Sequence, residues 1–166
     1  MNESLVGKHL NHEVSFDEVR WATSRKTSYD SRLSFVRYPA KRLLSDETRL
    51  YRLVPLANTR SFEGPWWMPD SVFTELRNDA NRSSTGGGRL LRNYVAQYLA
   101  LPFGGNQLSA VEIALTEPVY AWVGPAAALF ARPGGMEQVF LPHLAQRGAP
   151  SRSAHARIVR TYSLCF

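Results

Sequence analysis

Three polar groups in this 166-residue chain sit where an apolar run would hold them rigidly, and each type has a definite chemistry. Arg52 lies in the middle of TRLYRLVPL (48–56), with Leu50 and Val54 on its own face and Tyr51 and Leu53 on the other. An arginine there is costly to bury unpaired, so it must reach a core acid, backbone carbonyls or a ligand anion. Its planar fork suits a phosphate, because two parallel hydrogen bonds fix the phosphate's orientation. Gln138 opens the run QVFL inside PGGMEQVFLP (133–142), so its amide would be held at the mouth of a sheet. Gly134 and Gly135 before it let the backbone turn sharply and approach a ligand closely. Glu137 is the neighbouring acid, and strand alternation sends it to the opposite face.

Trp66 and Trp67 in SFEGPWWMPD (61–70) are the third element. Adjacent residues of a strand face opposite ways, so one tryptophan packs into the core while the other is free to line a pocket. A planar aromatic beside the Gly64-Pro65 turn makes a platform for a nicotinamide or adenine ring.

Other motifs carry less. The SSTGGG stretch (83–88) lacks both the phosphate-loop lysine pattern and the dinucleotide glycine spacing, and reads as a flexible loop. His9, His12, His143 and His155 show no metal-ligand spacing beyond the first two, which lie in a polar segment, so no metal site is expected. No Gly-x-Ser-x-Gly elbow occurs. The one cysteine, Cys165, excludes an intramolecular disulfide and reads as a small residue near a strand end.

The elements that must position these groups are mostly strands. They are expected over 48–56, on either side of Glu117-Pro118, at EQVFLP and along the C-terminal HARIVRTYSLCF. Helical spacing is strongest over RLLRNYVAQYLALP (89–102), closed by Pro102, and a shorter helix runs from Ser71 to Leu76, followed by a polar loop. Ser15 with Glu18 has capping-box spacing, so a short helix begins there. The class is α+β with mainly antiparallel sheet. Residues 1–45, polar and basic, read as an N-terminal extension that packs partly on the domain formed by residues 46–166.

Composition is that of an ordinary globular chain, with 44% hydrophobic and 20% charged residues. The longest apolar stretch, near 119–130, is broken by Gly124 and Pro125 and falls short of the ~20 residues a membrane span needs, so no membrane partner is expected. Charges within the first fourteen residues argue against a secretory signal. The formal net charge of +6 divides as +4 over residues 1–60, −2 over 61–142 and +4 over 143–166. The excess sits on the two ends, not on the middle where the motifs are densest. A basic module that binds nucleic acid or protein without catalysis remains the alternative class, formed if the two ends meet in space.

An arginine in an early strand, an aromatic turn and a late Gly-Gly-x-x-Gln-Val-Phe-Leu-Pro run together resemble the ADP-ribosyltransferase-like superfamily, in particular its NAD-consuming bacterial toxin and effector domains. EPVYAWVGPAAALFARPGGMEQVFLP is similar to the closing region of the tuberculosis necrotizing toxin family of NAD glycohydrolases. The likeness covers about residues 45–145. It implies split antiparallel sheets with a few helices, NAD as substrate and no metal. Arg52 would hold the NAD diphosphate, Ser61 would take the serine-motif place, Trp66 or Trp67 would line the nicotinamide pocket, and Gln138 would stand where the family carries its catalytic glutamate. The family's Glu-x-Glu pair would need acids at Met136 and Gln138, and neither is one, which favours water over a macromolecular acceptor. The resemblance also implies a cognate immunity protein, export by a specialised secretion system and action in the cytoplasm of a target cell.

Overall fold

The structure, a computed structural model, describes residues 8–19, 21–24, 27–30, 35–55, 60–82, 108–128 and 134–164. Its strands and helices are α1 (Phe16–Val19), β1 (Trp21–Ser24), β2 (Thr27–Asp30), β3 (Ala40–Leu44), β4 (Arg49–Pro55), β5 (Trp66–Pro69), α2 (Asp70–Arg82), β6 (Leu108–Leu115), β7 (Val119–Pro125), β8 (Glu137–Phe140) and β9 (Ala156–Leu164). The strands expected from residue 48 onward are present. The helix expected over 89–102, the loop at 83–88 and Cys165 lie outside the described residues.

Seven strands form one sheet in the order β3-β7-β8-β5-β4-β6-β9, and every adjacent pair is antiparallel. The sheet changes partners at β5. Trp66 and Trp67 pair with Phe140 and Val139 of β8, whereas Met68 and Pro69 pair with Tyr51 and Leu50 of β4. A four-residue strand thus joins two half-sheets, each bonded to only half of it.

The halves close on one another over a shared apolar face. Leu50, Val54, Val111, Ile113 and Leu115 from one half meet Val119, Ala121, Val123 and Val139 from the other. The chain crosses between halves at Thr116–Pro118, where proline withdraws an amide from the ladder and β6 and β7 go to different partners. On the outer face of the β4–β6 half, α2 lays Val72, Phe73 and Leu76 against Tyr51, Leu53 and Met68. Each such side chain contributes roughly 1.5–3 kcal/mol on burial. On the outer face of the β7–β8 half, Phe16 and Phe35 pack on Trp122 and Phe140.

Two local expectations change. Residues 78–82, read as a loop, continue α2. No glycine or proline interrupts the chain between Pro69 and Gly86, so nothing local ends the helix at Leu76. Trp21–Ser24 and Thr27–Asp30 pair as a hairpin where no strand was expected, because four-residue alternation is too short to register. Within the N-terminal extension, β3 pairs along its whole length with β7. Upstream, the Leu10 carbonyl accepts the Tyr120 amide, and Asn11 Nδ2 donates to the carbonyls of Tyr120 and Pro142 at 3.0 Å each. The capping box at Ser15 forms, with its amide 3.1 Å from Glu18 Oε2. Among the described residues no helix is long and apolar enough to cross a membrane.

Under α2 lies Glu112, only 7% exposed, whose carboxylate accepts from Tyr162 Oη at 2.7 Å and Arg49 Nη1 at 3.0 Å. Burial pushes the phenol of neighbouring Tyr51 far above its usual range, and a hydrogen bond with Asp70 and the charge of Glu112 add to the effect. A folded-state pKa raised above the unfolded value of about 10 leaves stability intact below that pH and removes it as pH rises, because only the unfolded chain ionises readily. Chemical denaturation across alkaline pH should therefore show stability falling from about pH 10 upward, with a shallower fall for Tyr51→Phe.

Candidate functional site

The partner switch at β5 creates the site. Beyond Tyr51 the register would carry Arg52 opposite Trp67, but β4 and β5 no longer pair there. Both side chains lie on the face between the half-sheets, as the alternation from Leu50 and Val139 requires. The Arg52 guanidinium stacks 4.4 Å above the Trp67 ring and fills the gap in the ladder.

Its hydrogen bonds go to the turn that leads into β5. Nη1 donates to the carbonyls of Glu63 and, at 3.0 Å, Gly64, and Nη2 donates to that of Ser61. Of the partners open to this arginine on sequence grounds, the fold supplies main-chain carbonyls. Burial pulls its pKa down to about 10, opposed by the nearby charge of Glu63. It stays cationic at neutral pH, so the desolvated charge holds the turn firmly. Gly64 has φ +92°, and a Cβ there would lie 2.9 Å from Arg52 Nη1, so glycine alone lets the turn meet the guanidinium. The Ser61 hydroxyl accepts the Glu63 amide at 3.1 Å and closes the turn from within.

Among the described residues, two buried donors in the split have no hydrogen-bond partner: Arg52 Nε and Trp67 Nε1. Each buried unpaired donor costs about 1–3 kcal/mol, which an acceptor atom of a ligand would recover. Beside them is a depression of about 280 Å³ lined by Arg52, Val54, Ser61, Glu63, Gly64 and Trp66. Glu63 and Gly64 form the wall between it and a second cavity of about 380 Å³, bounded by Glu18, Phe62, Pro65 and the 140–145 segment. The tryptophans divide as alternation requires: Trp67 is 3% exposed and in the core, whereas half-buried Trp66 borders the depression.

Of the five site residues named from the sequence, Arg52, Ser61 and Trp67 meet in one place, while the Trp66 ring turns to the opposite face of β5 and packs on Phe35 and Phe140. Gln138 is apart from them. It pairs with Gly124 on β8, is 6% exposed, and by alternation shares the face of Phe140 and Met68, opposite to that of Arg52. Standard strand spacing puts its Cα at least roughly 10 Å from that of Arg52, with β5 between. Glu137 is exposed and in register with Pro125. The glycine turn before them is sharp, with φ +66° at Gly134, where a Cβ would meet the Ala126 carbonyl oxygen at 2.5 Å. Sequence reasoning passed over Glu63 and Glu112. An acid inside the apolar run SAVEIAL was the signal for Glu112, while Glu63, in a polar turn, gave none.

Fold and site together define a mostly antiparallel protein with few helices, its sheet split around a clamped arginine. No family model and no curated protein matches the chain. Among solved structures, Rhs1-CT, in complex with its cognate immunity protein RhsI1, is 12% identical, with a TM-score of 0.48 over 76% of this chain and 82% of that one. Tne2, in complex with Tni2, is 13% identical, with a TM-score of 0.51 over 76% of this chain and 92% of that one. At this identity the likeness to Tne2 is one of fold.

Proposed function

We propose that this chain is a bacterial toxin or effector domain that cleaves NAD at the nicotinamide N-glycosidic bond, with water as acceptor. The observation that carries the reading is the strand order β8-β5-β4, which sets the glutamine, aromatic and arginine strands side by side around a split. Arg52 supplies a fixed cation for the diphosphate. Its Nη groups hold the turn, so it acts on the substrate through its charge at the edge of the depression. Trp66 borders the space for the nicotinamide ring. Gln138 polarises the ribose hydroxyls, the role implied by its place in the late Gly-Gly-x-x-Gln run. The fold shared with Tne2, which forms a complex with Tni2, supports a dedicated protein partner, here a cognate immunity protein. Delivery by a specialised secretion system into a target cell's cytoplasm belongs to the same reading.

The test is free nicotinamide after incubation with NAD, run beside a lysate with labelled NAD to separate hydrolysis from transfer to a macromolecule. Wild type should release nicotinamide, and Gln138→Ala should lose at least about 100-fold while remaining folded, the scale of one lost transition-state contact. Inert wild-type protein with no labelled acceptor would refute the enzymatic reading. Salt-sensitive nucleic-acid binding in its place would favour the non-catalytic module.

A further inference from the structure

We propose that Glu63 is the catalytic carboxylate of this site, stabilising the ribosyl cation as nicotinamide departs and accepting the proton of the attacking water. The assignment rests on the NAD-cleaving reading above and adds a residue to it.

Position 138 holds a neutral amide, and Glu137 is exposed beyond the split, so neither offers a negative charge at the Arg52 cleft. Glu63 is the acid that borders the depression containing Arg52 and Trp66, and it also borders the adjoining cavity. Its backbone is fixed on both sides. Arg52 bonds the carbonyls of Ser61, Glu63 and Gly64, the Ser61 hydroxyl takes the Glu63 amide, and Gly64 is packed against the guanidinium in a conformation that favours glycine. The side chain itself is exposed and makes no hydrogen bond or ion pair among the described residues. A rigid turn thus holds a carboxylate, within electrostatic reach of Arg52, on the wall between two depressions.

Charge favours the same arrangement. The nicotinamide ring of NAD is a cation, and the ribosyl group becomes one as the bond breaks, so a carboxylate at this wall gains attraction in the transition state. The C1′–N bond breaks with its electron pair passing to the ring nitrogen, which leaves as neutral nicotinamide. Water oxygen bonds to C1′, and its proton passes to Glu63 and then to solvent. The products are nicotinamide, ADP-ribose and one proton.

Nicotinamide release by wild type, Glu63→Gln and the exposed-neighbour control Glu137→Gln decides the matter. Glu63→Gln should lower kcat about 100-fold or more, leave KM for NAD within about threefold and remove the acidic limb of the pH–rate profile. Glu63→Asp, which keeps the charge, should recover part of the rate. Glu137→Gln should match wild type. If wild type is active and Glu63→Gln equals it, the assignment is overturned while the NAD-cleaving reading stands. An inert wild type overturns both.

Discussion

Arg52→Ala is expected to abolish nicotinamide release and to lower the unfolding midpoint in the same protein. The two effects have one cause. The guanidinium binds three carbonyls of the 61–64 turn and stacks on Trp67, so its removal frees the wall of the site as well as taking away the cation. Charged hydrogen bonds contribute roughly 1.5–3 kcal/mol each, but they are not additive, and losing a desolvated charge returns part of the cost. A net loss of about 1–3 kcal/mol follows, a midpoint shift on the order of 5 °C for a chain of this size. Arg52→Lys discriminates between fork and charge. A lysine offers a point charge that cannot span three carbonyls, so it should recover little activity and little stability. Full activity in Arg52→Lys would show that charge alone suffices and would end the clamped-turn account.

The larger stability effect is expected at Phe16, outside the stretch that carries the motifs. Its ring is 1% exposed and lies 5.3–5.9 Å, centroid to centroid, from Tyr38, Phe140, Trp122 and Phe35. Truncation to alanine removes a buried aromatic and leaves a cavity under β8, at a cost of about 3–5 kcal/mol. Urea unfolding should report that loss, and limited proteolysis should cut within residues 8–19 of Phe16→Ala before wild type. The wider consequence concerns organisation. Lys41 donates to the carbonyls of His12 and Val14 at 2.8 and 2.6 Å, and Asn11 is bonded to the Tyr120 and Pro142 carbonyls, so this segment supports the strand that bears Gln138. Unchanged stability in Phe16→Ala would mean instead that residues 8–19 lie on a domain complete without them.

These two sites differ in how far they could be read from the chain. Arg52 was legible because an arginine in an apolar strand has few places to go, and the period of two assigned its face. Phe16 was not, because one aromatic in a polar stretch has no periodicity, and among the rings that bury it Trp122 and Phe140 are more than 100 residues distant. Glu63 was invisible for a related reason. Its position depends on where Arg52 sends its hydrogen bonds, and nothing in EGP states that.

By itself the sequence determined what short-range sterics and hydrogen bonding decide. Strand alternation put Trp66 and Trp67 on opposite faces, Gly134 and Gly64 marked the sharp turns, and Ser15 with Glu18 marked a helix start. The tertiary structure alone decided neighbours. It sent β6 and β7, three residues apart in the chain, to different half-sheets, gave β5 one partner at each end, and set Arg52 and Gln138 on opposite faces. Pairing between distant strands depends on which apolar faces can be buried together, and that is a property of the assembled sheet rather than of any local pattern.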